Sequence, residues 1–130
     1  MSEIYVVSVS SNDHASENVR RAVYLLKEAF GKVNQSRVVE TDPIGEGYPP
    51  CVFSNAAVCF RSSLDREAVR RLLKEIEHKL GRDEAKRRKH LVPVDLDVIV
   101  AGGRVVHEDY ERLPFLKGLV AEVWDPGERK

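Results

Sequence analysis

The run Val94-Asp95-Leu96-Asp97-Val98-Ile99-Val100 constrains this chain more than any other stretch. Its β-branched residues lose rotamer freedom in a helix and sit well on a pleated surface, so the segment reads as a strand. Side chains alternate across a strand. Asp95 and Asp97 are therefore expected on one face, and Val94, Leu96, Val98 and Val100 on the other, in the core. Two rises of about 3.3 Å set the acids roughly 6.6 Å apart at the backbone, close enough to converge on one hard cation or on two cations about 4 Å apart. That pattern points to magnesium and phosphate chemistry. Acids on a wet strand face are common, however, and the pair by itself is more readily a solvated surface. The remaining motifs decide between the two.

With 130 residues the chain is long enough to form one domain, 1–130, with a core that needs no disulfide or metal. Its 21 basic and 21 acidic side chains balance, which removes the global electrostatic footprint of a nucleic-acid or membrane-surface binder. Cys51 and Cys59 form no CxxC pair. On one extended segment they would lie roughly 26 Å apart, too far for a bridge. They are expected as reduced thiols in a cytoplasmic protein. No export signal and no run of 18 apolar residues is visible.

Ile4 to Ser10 is β-branched and aromatic and ends in the turn formers Ser10-Ser11-Asn12-Asp13, a first strand. Val19, Ala22, Val23, Leu26, Ala29 and Phe30 then recur at helical spacing, with a cap expected at Ser16 or Asp13 and a stop at Gly31. Gln35 to Thr41 reads as a short second strand. The prolines and glycines of Asp42 to Pro50 require a surface loop. Cys51 to Arg61 is apolar enough for a central strand. Asp65 caps a second helix with the stripe Val69, Leu72, Leu73, Ile76 and Leu80, closed by Gly81. Arg70, Lys74 and Glu77 lie off that stripe and default to a solvated face.

In the charged run Arg82 to His90, acids at 83 and 84 can pair with bases at 87 and 88 if it is helical. It is either a solvated connector or a source of cations for a polyanion beside Asp95 and Asp97. Gly102-Gly103 turns a hairpin into Arg104-Val105-Val106, and an apolar piece runs from Phe115 to Trp124. The order strand, helix, strand, strand, helix, strand predicts an α+β, ferredoxin-like βαββαβ sandwich. Its antiparallel sheet would carry two main helices on one face, plus a small extra hairpin.

Five pieces in order, Tyr5-Val6-Val7-Ser8-Val9-Ser10-Ser11-Asn12, Thr41-Asp42-Pro43-Ile44-Gly45, Phe53-Ser54-Asn55-Ala56-Ala57-Val58, Ile76-Glu77 to Gly81-Arg82, and Arg88 followed by Asp95-Leu96-Asp97, resemble the 6-hydroxymethyl-7,8-dihydropterin pyrophosphokinase family. The resemblance implies magnesium-dependent transfer of pyrophosphate from ATP to the pterin's hydroxymethyl oxygen, in folate biosynthesis. It implies Asp95 and Asp97 as ligands of two Mg2+ ions, and Arg82 and Arg88 as catalytic, phosphate-side arginines. It places Glu77, Val98 and Arg112 with the nucleotide, and Thr41, Pro43, Ile44, Phe53 and Asn55 with the pterin. From the residues alone, Asn55 is equally an amide satisfying strand backbone, and Phe53 a core aromatic.

The chain also departs from the family. Arg88-Lys89-His90-Leu91-Val92 stands where a tryptophan and a second arginine are usual, and a Pro-His segment with a following arginine is counted as deleted near Glu111-Arg112-Leu113-Pro114. The alternative implied is a weakened or inactive descendant acting as a ligand-binding or regulatory module.

Overall fold

Strand β1 (Glu3–Ser11) runs through the middle of one antiparallel sheet, flanked by β4 (Phe53–Ser62) on one side and β5 (Asp95–Ala101) on the other, in a computed structural model that describes residues 2–127. The sheet continues past β4 to β2 (Val33–Gln35) and β3 (Val39–Thr41), and past β5 to β6 (Arg104–Val105). Helix α1 (Ala15–Phe30) follows β1 and α2 (Arg66–Lys79) follows β4, which completes the ferredoxin-like α+β order expected from periodicity. Short helices α3 (Glu84–Arg88) and α4 (Asp109–Arg112) and a final helix α5 (Leu116–Val123) make up the rest. No helix among the described residues is long and apolar enough to cross a membrane.

Both main helices cover one face. Val19, Ala22 and Leu26 of α1 and Val69, Leu73 and Ile76 of α2 meet Tyr5, Val7, Val9, Val58, Leu96 and Val98 of the sheet. The other face has a core of its own, which the two-helix expectation did not include. The apolar piece after Phe115 folds as α5 and lays Leu116, Leu119, Val120 and Trp124 over Ile4, Val6, Ala57, Ile99 and Val100. Val100 is thus on the face opposite to the expected one. Val7 pairs with Val98 but Val6 with Val100, so Ile99 is an extra residue in β5 and the alternation reverses there.

Three local expectations also change. The second strand is two strands, because Ser36 interrupts it. Its N–H donates to Ala57 O and its hydroxyl accepts the Ala57 N–H at 2.8 Å, so a side chain takes over one ladder position. Neither Ser16 nor Asp13 caps α1. His14 precedes it in the left-handed region with no side-chain cap, and Asp13 pairs with Lys86 Nζ at 2.8 Å. That contact, with Asp83 capping α3 through the Lys86 N–H, replaces the expected pairing of 83 and 84 with 87 and 88. Asp65 does cap α2, and Gly31 and Gly81, both at positive φ, follow the last turns of their helices.

Candidate functional site

The pairing of β1 with both neighbours decides what shares a face with the acids. Asp95 lies opposite Ser10, and Ser10 opposite Asn55; Asp97 lies opposite Ser8, and Ser8 opposite Ala57. Partners in an antiparallel pair project from the same face, about 5 Å apart, so Asp95, Ser10 and Asn55 form a row across three strands. Beyond Asn55 the row reaches Val39 of β3, and Thr41 faces Phe53. The sheet therefore brings the acids and the expected pterin residues to one end of one face.

A carboxylate from α2 anchors this row from behind. Glu77 is buried, against the default of a solvated helical face, and its Oε2 accepts the Leu96 N–H at 2.8 Å. The same oxygen pairs with Arg82 Nη1 at 3.0 Å, and that nitrogen also reaches Val94 O and, at 2.8 Å, Asp95 Oδ1. Burial raises the Glu77 carboxyl above its ordinary value, opposed by the Leu96 N–H and the Arg82 charge. Burial works against the Arg82 charge, but the hydrogen bond to Asp95 and the charges of Glu77, Asp95 and Asp97 raise it overall.

Asp97 has no such cation. Burial, then the charge of Asp95 and a hydrogen bond shared with it, then Asp109 and Glu77, push its carboxyl up to about 8. The nearest basic group is the imidazole of His107, with Nε2 3.9 Å away. Asp97, His107 and Asp109 each offer a ligand atom within 4.8 Å of the others, and Asp109 is held by Arg112 at 2.7 Å. The Asp95 and Asp97 side chains remain 39% and 30% exposed, enough for a cation to reach them. Oxygen donors crowded until one of them holds a proton fit a hard divalent cation, which would relieve the repulsion.

Two openings meet at the acid pair. Asp95 lines a cavity of about 140 Å³ with Ser10, Thr41, Ile44, Phe53 and Asn55, which Tyr48, Arg112 and Phe115 help to close. Asp97 lines a cleft of about 270 Å³ with Arg66, Arg70 and Lys74 of α2, Val98 and His107. A wider cleft of about 550 Å³, lined by Lys74, Glu77, Arg82, Arg87 and His90 among others, continues along α2 and α3. Asn55 is buried and its amide is already used. Oδ1 accepts the Ser10 hydroxyl at 2.8 Å, and Nδ2 donates to Thr41 Oγ1 at 2.9 Å. Phe53 packs edge-on to Tyr48, which in turn meets the His90 ring.

The expected residues Asp95, Asp97, Glu77, Arg82, Val98, Arg112, Thr41, Ile44, Phe53 and Asn55 thus line these openings or support them. Two do not. Arg88 is exposed on α3, its side chain without a hydrogen bond or ion pair among the described residues, while Arg87 lines the wide cleft; Pro43 is half-buried in the loop beside Ile44 and lines none of the three openings. Whatever the expected loss of a Pro-His segment and a following arginine removes, a histidine and an arginine of this chain are at the site: His107 stands beside Asp97, and Arg112 shares the small cavity with Asp95. Phe115 reads in the sequence only as part of an apolar piece, because nothing local tells a pocket aromatic from a core one.

The family model for 7,8-dihydro-6-hydroxymethylpterin-pyrophosphokinase (HPPK) matches residues 6–125. No curated protein matches the chain. Among solved structures, the de novo designed protein Foldit4 is similar at 14% identity and a TM-score of 0.41, over 77% of this chain and 98% of that one, a likeness too slight to carry an argument. Matched over nearly its whole length, the chain belongs to the 7,8-dihydro-6-hydroxymethylpterin-pyrophosphokinase family, whose activity is pyrophosphate transfer in folate biosynthesis.

Proposed function

We propose that this protein transfers pyrophosphate from ATP to the hydroxymethyl oxygen of 6-hydroxymethyl-7,8-dihydropterin. The hydroxyl oxygen bonds to the β-phosphorus, the bond from that phosphorus to the oxygen bridging it to the α-phosphate breaks, AMP leaves, and the hydroxyl proton is released. The observation that carries the reading is the position of the acid pair between two openings, Asp95 on the small cavity and Asp97 on the basic cleft. The acceptor would occupy the first and the phosphates the second.

Thr41, Ile44, Phe53 and Asn55 bind and orient the pterin, with Pro43 setting the course of the loop that carries Ile44. The aromatic ring of Phe53 offers a stacking surface, and the Asn55 amide, with both donor and acceptor, exchanges its internal partners for the ring edge. Arg82 and Arg88 act on the phosphates, Arg82 from its station between Glu77 and Asp95 and Arg88 from the exposed end of α3. Glu77 holds the Leu96 peptide and Arg82 in place, Val98 forms part of the cleft floor, and Arg112 fixes Asp109 at the cavity wall. Two magnesium ions held by Asp95 and Asp97 would neutralise charge on the phosphates and bring donor and acceptor together.

The test is formation of AMP from ATP and the hydroxymethyldihydropterin at saturating magnesium. AMP at a rate well above the protein-free background, abolished by Asp95→Ala or Asp97→Ala, is the expected result. The non-catalytic reading is favoured by one observation, that Arg88 lines none of the openings. Calorimetric binding of ATP or pterin with no AMP formed would establish that reading instead.

A further inference from the structure

Arg66, Arg70 and Lys74 recur every four residues on α2, so they form one row along the helix, and all three line the cleft that Asp97 lines. Their side chains make no hydrogen bond or ion pair among the described residues. By contrast, Arg82 is tied to Glu77 and Asp95, and Arg112 to Asp109. Like charges four residues apart weaken a helix, and an anion lodged beside the row would relieve that repulsion. Three cations against the one carboxylate of Asp97 leave this cleft positive in a chain whose charges balance overall. Lys74 also lines the wide cleft, so it stands on the wall that the two share.

The sheet side of the same cleft carries a donor of fixed form. His107 Nδ1 accepts the Asp109 N–H at 3.0 Å, so in the neutral ring the hydrogen is on Nε2, 3.9 Å from Asp97 Oδ1. Asp109 is itself held by Arg112 through Nε at 3.0 Å and Nη2 at 2.7 Å. A run of contacts starting at Arg112 thus sets an imidazole N–H beside Asp97, on the cleft that the α2 cations line. We propose that Arg70 and Lys74 from α2, and His107 Nε2–H from the sheet side, hold the polyphosphate chain of the nucleotide. They would take the place of the second arginine absent from Arg88-Lys89-His90-Leu91-Val92, and the assignment rests on the pyrophosphate-transfer reading above. Phosphate oxygens suit the set because they accept from a guanidinium, an ammonium and an imidazole together, and charge-assisted bonds of this kind are the strong ones.

Inorganic tripolyphosphate with magnesium, titrated into the full chain by calorimetry, should bind, and ATP should displace it. Arg70→Ala/Lys74→Ala should bind it at least about tenfold more weakly. Arg71→Ala/Lys79→Ala removes the same charge from exposed positions of α2 that line none of the openings, and should stay within about twofold of wild type. His107→Phe keeps a ring and loses the donor, and should weaken binding about threefold or more. No binding by the wild-type chain, equal losses in the two double variants, or full affinity in Arg70→Ala/Lys74→Ala or in His107→Phe overturns the inference. Turnover is read separately. AMP formed by a chain whose tripolyphosphate affinity ignores Arg70 and Lys74 sinks this assignment and keeps the transfer, whereas a selective loss in that variant without any AMP from the wild type keeps the phosphate site and sinks the transfer.

Discussion

The Leu96 N–H, the amide between the two site acids, donates to Glu77 Oε2 at 2.8 Å, so a helix carboxylate fixes the strand that presents them. The same oxygen holds Arg82 against Asp95. Glu77→Ala leaves a buried peptide N–H without an acceptor, and urea unfolding should show a loss of about 1–3 kcal/mol. Glu77→Gln keeps an acceptor and should recover most of that stability. Because Arg82 loses one of its two charged partners in both variants, keeping only Asp95, kcat should fall in both, and a Gln variant with full kcat would remove Glu77 from the positioning role.

Asp97 links stability to pH. Its carboxyl is raised from 3.8 to about 8, so between those values the folded metal-free protein holds a proton that the unfolded chain has released. Its contribution is fully present below about 4 and is lost as pH rises through 8. Glu77, also raised, acts in the same direction. Denaturation of the metal-free protein should therefore become easier from pH 6 to pH 9, and Asp97→Asn should flatten that slope.

Occupation of the acid pair by magnesium requires the Asp97 carboxylate. At pH 7 binding should release close to one proton, read by calorimetry as a heat that depends on the ionisation enthalpy of the buffer. Affinity should rise with pH up to about 8 and then level off. A buffer-independent heat would show that the ion does not displace this proton.

Asn55 lines the small cavity and not the basic cleft, so its removal can tell the two openings apart. Its amide ties Ser10 to Thr41 across the floor of the small cavity and does not line the cleft beside Asp97. Asn55→Ala should raise the KM for the pterin by about tenfold or more while leaving the affinity for magnesium-ATP within about twofold of wild type. Parallel losses for both substrates would mean that the cavity does not hold the acceptor.

Ser36 makes the sheet edge dependent on one hydroxyl. Ser36→Ala removes the acceptor for the buried Ala57 N–H, and the urea midpoint should fall by an amount equivalent to about 1–3 kcal/mol with an unchanged slope.

Helical and strand periods were legible along the chain because each main element buries one stripe against the same sheet, as Val69, Leu73 and Ile76 do. That Asp95 and Asp97 share a face was legible because strand alternation fixes faces without any knowledge of partners, whereas a site role for them and for Asn55 came only from the family resemblance. What escaped the sequence depends on contacts between distant segments. Glu77 looks like a surface acid until the Leu96 amide and Arg82 are placed beside it. The second core escaped because eight residues of α5 have no long period to announce them, and because β1, buried on both faces, shows no alternation to reveal the far side. His107 escaped because only the folded chain brings it beside Asp97 and Asp109.

The extra residue at Ile99 has an effect that reaches beyond β5 itself. Without it, a face bearing Asp95 and Asp97 would continue with positions 99 and 101 and leave Val100 on the side of α1 and α2. With it, Ile99 and Val100 both turn under α5, and the strand is hydrophilic at its entrance and sealed at its exit on a single side. The end that carries the acids and the end that closes the fold are thereby uncoupled. A change in length of the turn at Gly102 and Gly103 would therefore act beyond Val100 and leave the carboxylates at their addresses opposite Ser8 and Ser10.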